Sequence, residues 1–153
     1  MISSKTKYAL HALIRLAESP AGEPVLIADL TDGDRIPRKF LEAILVSLRK
    51  GGVLRSRVGR GGGYQLALPA RELTLARVVR ILDGEFAPLP CLSGDHPRRC
   101  DECADLATCG VRLVMADVKR AVAATLEGLT LADVIERTRA ECARRRGLID
   151  FSI

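Results

Sequence analysis

At 153 residues, 48% hydrophobic and 28% charged, the chain has the composition of an ordinary globular protein, enough for one cored domain with an appended element. Trp is absent and aromatics are 3%, so aliphatic side chains must build the core, and a stacking platform for single-stranded bases is excluded. The net charge of +5 is unevenly placed: Arg35, Arg38, Lys39, Arg49, Lys50, Arg55, Arg57 and Arg60 face the single acid Glu42, a local +7 that leaves the remainder at −2, the footprint of a surface for a polyanion.

The amino-terminal stretch carries Lys5 and Lys7, but its apolar part is broken by His11 and Arg15 and lacks a small-residue cleavage pattern, so it does not read as a secretory signal. No uncharged apolar run is long enough to span a bilayer, and the chain is expected to be soluble and cytoplasmic with no membrane partner. Thiols there stay reduced, and clustered cysteines serve metal or redox chemistry more often than disulfide staples.

Leu10, Leu13, Ile14 and Ala17 follow i, i+3, i+4, i+7 spacing, the mark of an amphipathic helix, and the Pro20 to Pro24 stretch stops it. A short apolar segment from Val25 to Leu30 gives way to a polar turn over Thr31 to Arg35. Pro37 suits the first position of the next helix, where its missing N–H is tolerated. Phe40, Leu41, Ile44, Leu45 and Leu48 form that helix's buried stripe, and Gly51 and Gly52 end it. Two helices across a tight turn, the second presenting Arg38, Lys39, Arg49 and Lys50, predict a helix-turn-helix.

Val53 to Val58 and Tyr64 to Leu68 then read as a hairpin with a glycine-rich tip over Gly59 to Gly63. A dinucleotide-binding fingerprint would lead into a helix; a strand-like segment follows here, which predicts a wing. Its glycines let backbone approach a phosphate or enter a narrow groove, and Arg57 and Arg60 bring the charge that a narrow minor groove attracts.

Thr74 caps a helix with Leu75, Val78, Val79 and Leu82 on its apolar face and Gly84 as its stop, expected to brace the wing. Farther on, Val111, Val114, Met115, Val118, Val122 and Leu126 form a long apolar stripe, which intramolecular packing explains first and a partner helix second. Thr130 and Asp133 resemble a capping box at the start of a last helix, on which Cys142 is expected in the core. His11 and His96 are too isolated to read as ligands.

Between these helices Cys91, Cys100, Cys103 and Cys109 sit among Asp, Arg, Pro and Gly, neighbours that supply no apolar core. Four thiolates suit an iron-sulfur cluster or tetrahedral zinc, although zinc ribbons show two close Cys pairs and this chain has one. Free thiols read by oxidation are the third possibility. Cys100 and Cys103 form a Cys-x-x-Cys pair that does not open a helix after a strand, as a thioredoxin-like site would.

With Ser4-Lys-Thr-Lys-Tyr8 at the start, Ile36-Pro37, Phe40-Leu41-Glu42, Ile44-Leu45 and Leu48 in the second helix, and Ser56 with Gly59-Arg-Gly-Gly-Gly-Tyr64-Gln-Leu-Ala67 in the wing, nearly the whole chain resembles the Rrf-two family of bacterial transcriptional regulators. The resemblance implies a dimeric winged helix-turn-helix with the long helix as dimer seam. It adds Ser56, Gly61 and Tyr64 to the candidate DNA-binding residues. Members often carry Arg just before the wing's Gly-x-Gly-Gly; here Val58 stands, leaving Arg57 and Arg60. Cluster-binding members use three cysteines, matched by Cys91, Cys103 and Cys109. Their fourth ligand, a His or an Asp, is replaced by Arg112 or Lys7, and Cys100 can complete the set. Some members bind no cluster.

The resulting expectation is a mainly α fold with a small β-hairpin wing: residues 1–84 as the winged helix-turn-helix, 85–109 as a cysteine-rich sensor loop, and 110–153 as the dimerisation helix and C-terminal helix. The function expected is a homodimeric regulator, a repressor of double-stranded DNA operators, sensing redox, nitric oxide or iron status through an iron-sulfur cluster, or else through a thiol switch or a zinc-stabilised site. No Ser-His-Asp, metal-hydrolase or phosphate-loop pattern points to an enzyme.

Overall fold

A computed structural model describes residues 2–20, 23–31, 36–59, 61–94 and 97–150, with side chains through residue 146. Arg35, Arg60 and His96 lie outside the described residues, as does most of the turn expected over Thr31 to Arg35.

Helix α1 (Ser4–Glu18) begins where Ser3 Oγ accepts from the Lys5 amide, a side-chain cap for an otherwise orphaned donor. Its inner stripe of Thr6, Ala9, Ala12, Leu13 and Leu16 is buried. The apolar segment that follows splits between two roles: Val25 bridges to Tyr64, while Ile27–Thr31 forms the short helix α2 and buries Leu30. Helix α3 (Arg38–Lys50) buries Leu41, Ile44, Leu45 and Leu48. Pro37 stands at its N-cap, one position earlier than expected, with φ −60°. Phe40 meets Tyr8 of α1 edge-on, ring centroids 5.8 Å apart, a favoured aromatic geometry.

Strands β1 (Leu54–Arg57) and β2 (Gly63–Leu66) are antiparallel, with Leu54 opposite Leu66 and Arg57 opposite Gly63. The Val25 and Tyr64 amides exchange hydrogen bonds of 2.8 and 2.9 Å with each other's carbonyls, so the far edge of the hairpin is also covered. Gly63, at φ 153°, lies so close to the Val25 carbonyl that any Cβ would overlap it, and only glycine allows that approach.

Helix α4 (Leu75–Asp83) starts at Thr74, whose Oγ1 accepts from the Arg77 amide, and packs on α1 and α3 from one side and on the long helix α5 (Gly110–Gly128) from the other. Its last residue, Asp83, accepts from Ser3 N (2.8 Å), Ser3 Oγ and Thr6 Oγ1 (2.8 Å). Burial opposes ionisation there, but the Ser3 and Thr6 hydrogen bonds outweigh it and hold the carboxyl below its usual range.

Helix α6 (Leu131–Asp150) opens with the capping box expected at Thr130: its amide donates to Asp133 Oδ2 (2.7 Å), and the Asp133 amide donates back to Thr130 Oγ1 (3.2 Å). Here the backbone clasps the DNA-binding half, Leu75 N donating to Leu129 O and Leu131 N to Leu73 O, both at 2.8 Å. Leu131 and Ile135 thereby join one core with Leu13, Leu41, Leu45, Leu48, Val53 and Leu73.

Beyond Ile135, every described α6 side chain is exposed, including Cys142, which corrects its expected place in the core. Cys142 lies seven residues past Ile135 on the same stripe, but no element of the described chain packs there. Helix α5 buries none of its residues. Val111, Val114 and Val118 are 62, 59 and 39% exposed, whereas Met115, Val122 and Leu126 are half-buried.

Candidate functional site

The basic side chains predicted on the second helix occupy both ends of α3. Arg38 and Lys39 are exposed in its first turn, with Arg38 Nε 3.1 Å from Glu42 Oε1. Arg49 and Lys50 are exposed in its last turn, about 16 Å away at 1.5 Å per residue. The two ends therefore address different parts of a polyanion. Arg49 Nη1 donates to Ser56 Oγ at 3.3 Å, joining the end of α3 to β1, whereas the exposed Arg57 shares the other face of the strand with Arg55.

At the wing tip, Gly61 is exposed and Tyr64 is half-buried, its backbone engaged with Val25. Val58 is 95% exposed. Sequence reasoning missed Lys5, an exposed cation of α1 that lines a small recess with Phe40, Ala43, Ile44 and Ser47 of α3. Its charge lies outside the basic run in sequence and meets that surface only through the α1–α3 packing.

The cysteine segment is held largely by hydrogen bonds to its carbonyls. Arg99 forks onto Cys103 O (2.6 Å) and Ala104 O (2.7 Å), the Arg98 amide reaches Pro90 O (3.1 Å), and Lys119 Nζ of α5 donates to Leu92 O (2.9 Å) while lying 3.3 Å from Glu85 Oε1. Cys91 is buried in a 3-10 turn over Pro90–Leu92, Cys103 is buried, Cys109 is half-buried at the N-terminus of α5, and Cys100 is exposed. All four thiols are free.

Cys103 has Cys109 and Cys100 as thiol neighbours. Burial first, then those two groups, push its thiol up. Cys109 moves the other way: the Arg112 amide outweighs burial, and the Cys103 thiol, the Val111 amide and the Arg112 charge add to the lowering, as expected of a thiol at a helix N-terminus. Arg112, which replaces a possible His ligand, donates to Leu106 O at 3.5 Å, and its Nε is buried without a hydrogen-bond partner. Among the described residues no three His, Cys, Asp or Glu side chains converge as a metal-holding group. By donor chemistry four thiols in one segment suit a thiophilic metal, but their placement does not assemble a site: Cys109 and Cys100 act on the Cys103 thiol, whereas Cys91 sits in a separate turn tied to α5 by Lys119.

Residues 2–137 match the family model Rrf2, described as iron-dependent transcriptional regulator. A rrf2-like HTH-type transcriptional regulator of Rhodobacter capsulatus is 41% identical over 138 residues, covering 88% of this chain and 92% of that protein. The HTH-type transcriptional regulator IscR of Aliivibrio salmonicida is 26% identical, covering 99% and 87%. Among solved structures, CymR, the global cysteine regulator of B. subtilis, superposes with a TM-score of 0.72 at 25% identity over 90% of this chain and 97% of its own. T. potens IscR does so with a TM-score of 0.68 at 25% identity, over 90% and 88%. The chain belongs to the Rrf2 family, as a winged helix-turn-helix transcriptional regulator and not an enzyme.

Proposed function

We propose that this protein is a homodimeric, sequence-specific repressor acting in the cytoplasm, whose operator affinity is set by an iron-sulfur cluster held by Cys91, Cys103 and Cys109, with Cys100 as the fourth ligand. The observation that carries the reading is the position of the thiols: Cys109 begins α5, and α5 also offers the exposed stripe of Val111, Val114 and Val118 that suits a second copy. A change at the cysteines therefore acts on the element that would set the spacing of two DNA-binding units. The family's iron-dependent description supports the same reading.

When bound, such a cluster supplies sensitivity to oxygen or nitric oxide. The chain's own residues do the rest. Lys119 holds the Cys91 turn to α5, Arg99 holds the Cys103 turn, and Arg38, Lys39, Arg49, Lys50, Arg57 and the half-buried Tyr64 form the surface offered to duplex DNA. No described helix is long and apolar enough to cross a membrane. A second reading has one observation in its favour: Cys103 and Cys109 are adjacent thiols, the arrangement a reversible disulfide switch needs.

Purification without oxygen, followed by iron, sulfide and zinc analysis and an absorption spectrum, separates the readings. Iron and sulfide lost on Ser substitution of Cys91, Cys103 or Cys109, together with the change in operator affinity, is the expected result. Iron-free protein that responds only to thiol oxidants establishes the switch, and stoichiometric zinc establishes a zinc site.

A further inference from the structure

The turn between α3 and β1 decides where the wing points, because β1 begins two residues after Gly52. Its amides are satisfied locally: Gly51 N donates to Ser47 O (2.9 Å), Gly52 N to Arg49 O (3.0 Å) and Val53 N to Leu48 O (2.9 Å). Its carbonyls are not satisfied within the turn. Both turn outward to one side chain of α4, Arg77, whose Nη2 lies 3.1 Å from Gly51 O and 3.4 Å from Gly52 O. On the same helix, one turn on, Ile81 packs so tightly against Gly51 that a Cβ there would overlap its side chain, and Gly52 adopts φ +70°. The turn is thus pressed onto α4 by Ile81 and tied to it by a cation.

We infer that Arg77 of α4 is a positioning residue for operator recognition: its guanidinium helps fix the angle between α3 and the wing. This inference rests on the DNA-binding reading above. Charge-assisted hydrogen bonds are roughly twice as strong as neutral ones, and Arg77 is partly buried, with its own amide capped by Thr74, so the anchor is stiff. Val53 and Leu54 are anchored in the core, so the free lever runs from Leu54 to Arg57, three residues and about 10 Å along an extended chain, and a swing of roughly 15° would carry Arg57 about 2.6 Å, enough to break a hydrogen bond. The Arg49–Ser56 contact ties the same two elements and is exposed, as is the Arg77–Gly52 bond; the part-buried Arg77–Gly51 bond is the one better shielded from solvent.

The test is a double-mutant cycle on the full chain. The probes are a duplex selected by wild-type protein from a random-sequence pool and an unselected duplex of equal length. Arg77→Met is expected to lose at least about tenfold in affinity for the selected duplex and to leave binding to the unselected duplex within about threefold. In an Arg57→Ala background, where the wing contact is already gone, Arg77→Met should change affinity less than about twofold. Equal losses in both backgrounds, or wild-type affinity in Arg77→Met, would overturn the inference. If circular dichroism finds Arg77→Met unfolded at the assay temperature, Arg77→Lys, whose ammonium reaches one carbonyl, takes its place and is expected to show the same background dependence at about threefold amplitude; a background-independent loss overturns the inference here too. Wild-type protein with no salt-dependent affinity for either duplex would refute the DNA-binding reading itself, a result distinct from each of these.

Discussion

The DNA-binding half and the cysteine segment are held together by different physics. In the first, leucines, valines and isoleucines from α1, α2, α3, β1, α4 and the start of α6 share one core, and the side chains of Leu13, Leu41, Leu45 and Leu48 are essentially inaccessible. In the second, among the described residues from 85 to 109, only Cys91 and Cys103 are buried, and the chain is pinned by Arg99, Lys119 and the Arg98 amide onto carbonyl oxygens. Apolar burial produces a cooperative unit that resists local opening, whereas a segment with few buried contacts opens at low free energy. For the regulator proposed above, the first suits a reading head that keeps its shape and the second a segment that can change.

Removing packing should do the most damage. Leu45→Ala leaves a cavity in the shared core and should cost about 2–5 kcal/mol, a loss visible in chemical denaturation as a lower midpoint and, at assay temperature, as failure to bind DNA. A denaturation midpoint unchanged by this substitution would mean that the core does not dominate stability. The next effect concerns α5. Val118→Glu would force a carboxylate against an apolar partner face at a cost of several kcal/mol, so light scattering should report monomers while the circular dichroism spectrum of the fold is retained; a persisting dimer would move the seam off this helix.

A smaller loss is expected at the junction of the two regions. Because Asp83 has its folded pKa below its unfolded value, its contribution is present above the unfolded pKa of about 3.9 and is lost as pH falls through the folded value. Asp83→Asn should cost about 1.5–3 kcal/mol near neutral pH and should remove part of the acid sensitivity, readable from melting curves between pH 3 and about pH 7. The smallest effect should come from the cysteine segment. Lys119→Met breaks the tie to Leu92 O, and global stability should change by less than about 1 kcal/mol, whereas amide hydrogen exchange around Cys91 should accelerate about tenfold. Should Lys119→Met instead lower the global denaturation midpoint as strongly as Leu45→Ala, the contrast between the regions would collapse.

What could be read from the residues alone follows the same division. The stripes of α3 and α4, the Thr74 cap and the glycine-tipped hairpin are local patterns with fixed periods and appear where expected, whereas α1 turns a different face inward: Thr6, Ala9, Ala12 and Leu16 are buried with Leu13, and the expected Leu10, Ile14 and Ala17 are only half-buried at its edge. Pairings across long separations left no local mark. The Val25–Tyr64 bridge, Lys5 beside α3, and Arg77 under the Gly51–Gly52 turn all join residues 25 or more apart in sequence. Cys142 shows a subtler failure, since helical periodicity identifies the face it occupies but says nothing of where the surface packed against that face ends. In the cysteine segment, spacing suggests four thiols as a set, whereas the described residues show no metal-holding group there, and the turns that carry the thiols are placed by where Arg99 and Lys119 find carbonyls.

The clasp between Leu73–Leu75 and Leu129–Leu131 bears on how the protein is made. The ribosome releases Leu131 and Ile135 only after the cysteines and all of α5 have emerged, and until then the core of the reading head lacks two of its side chains. The nascent chain consequently exposes its thiols to the cell before it completes its winged helix.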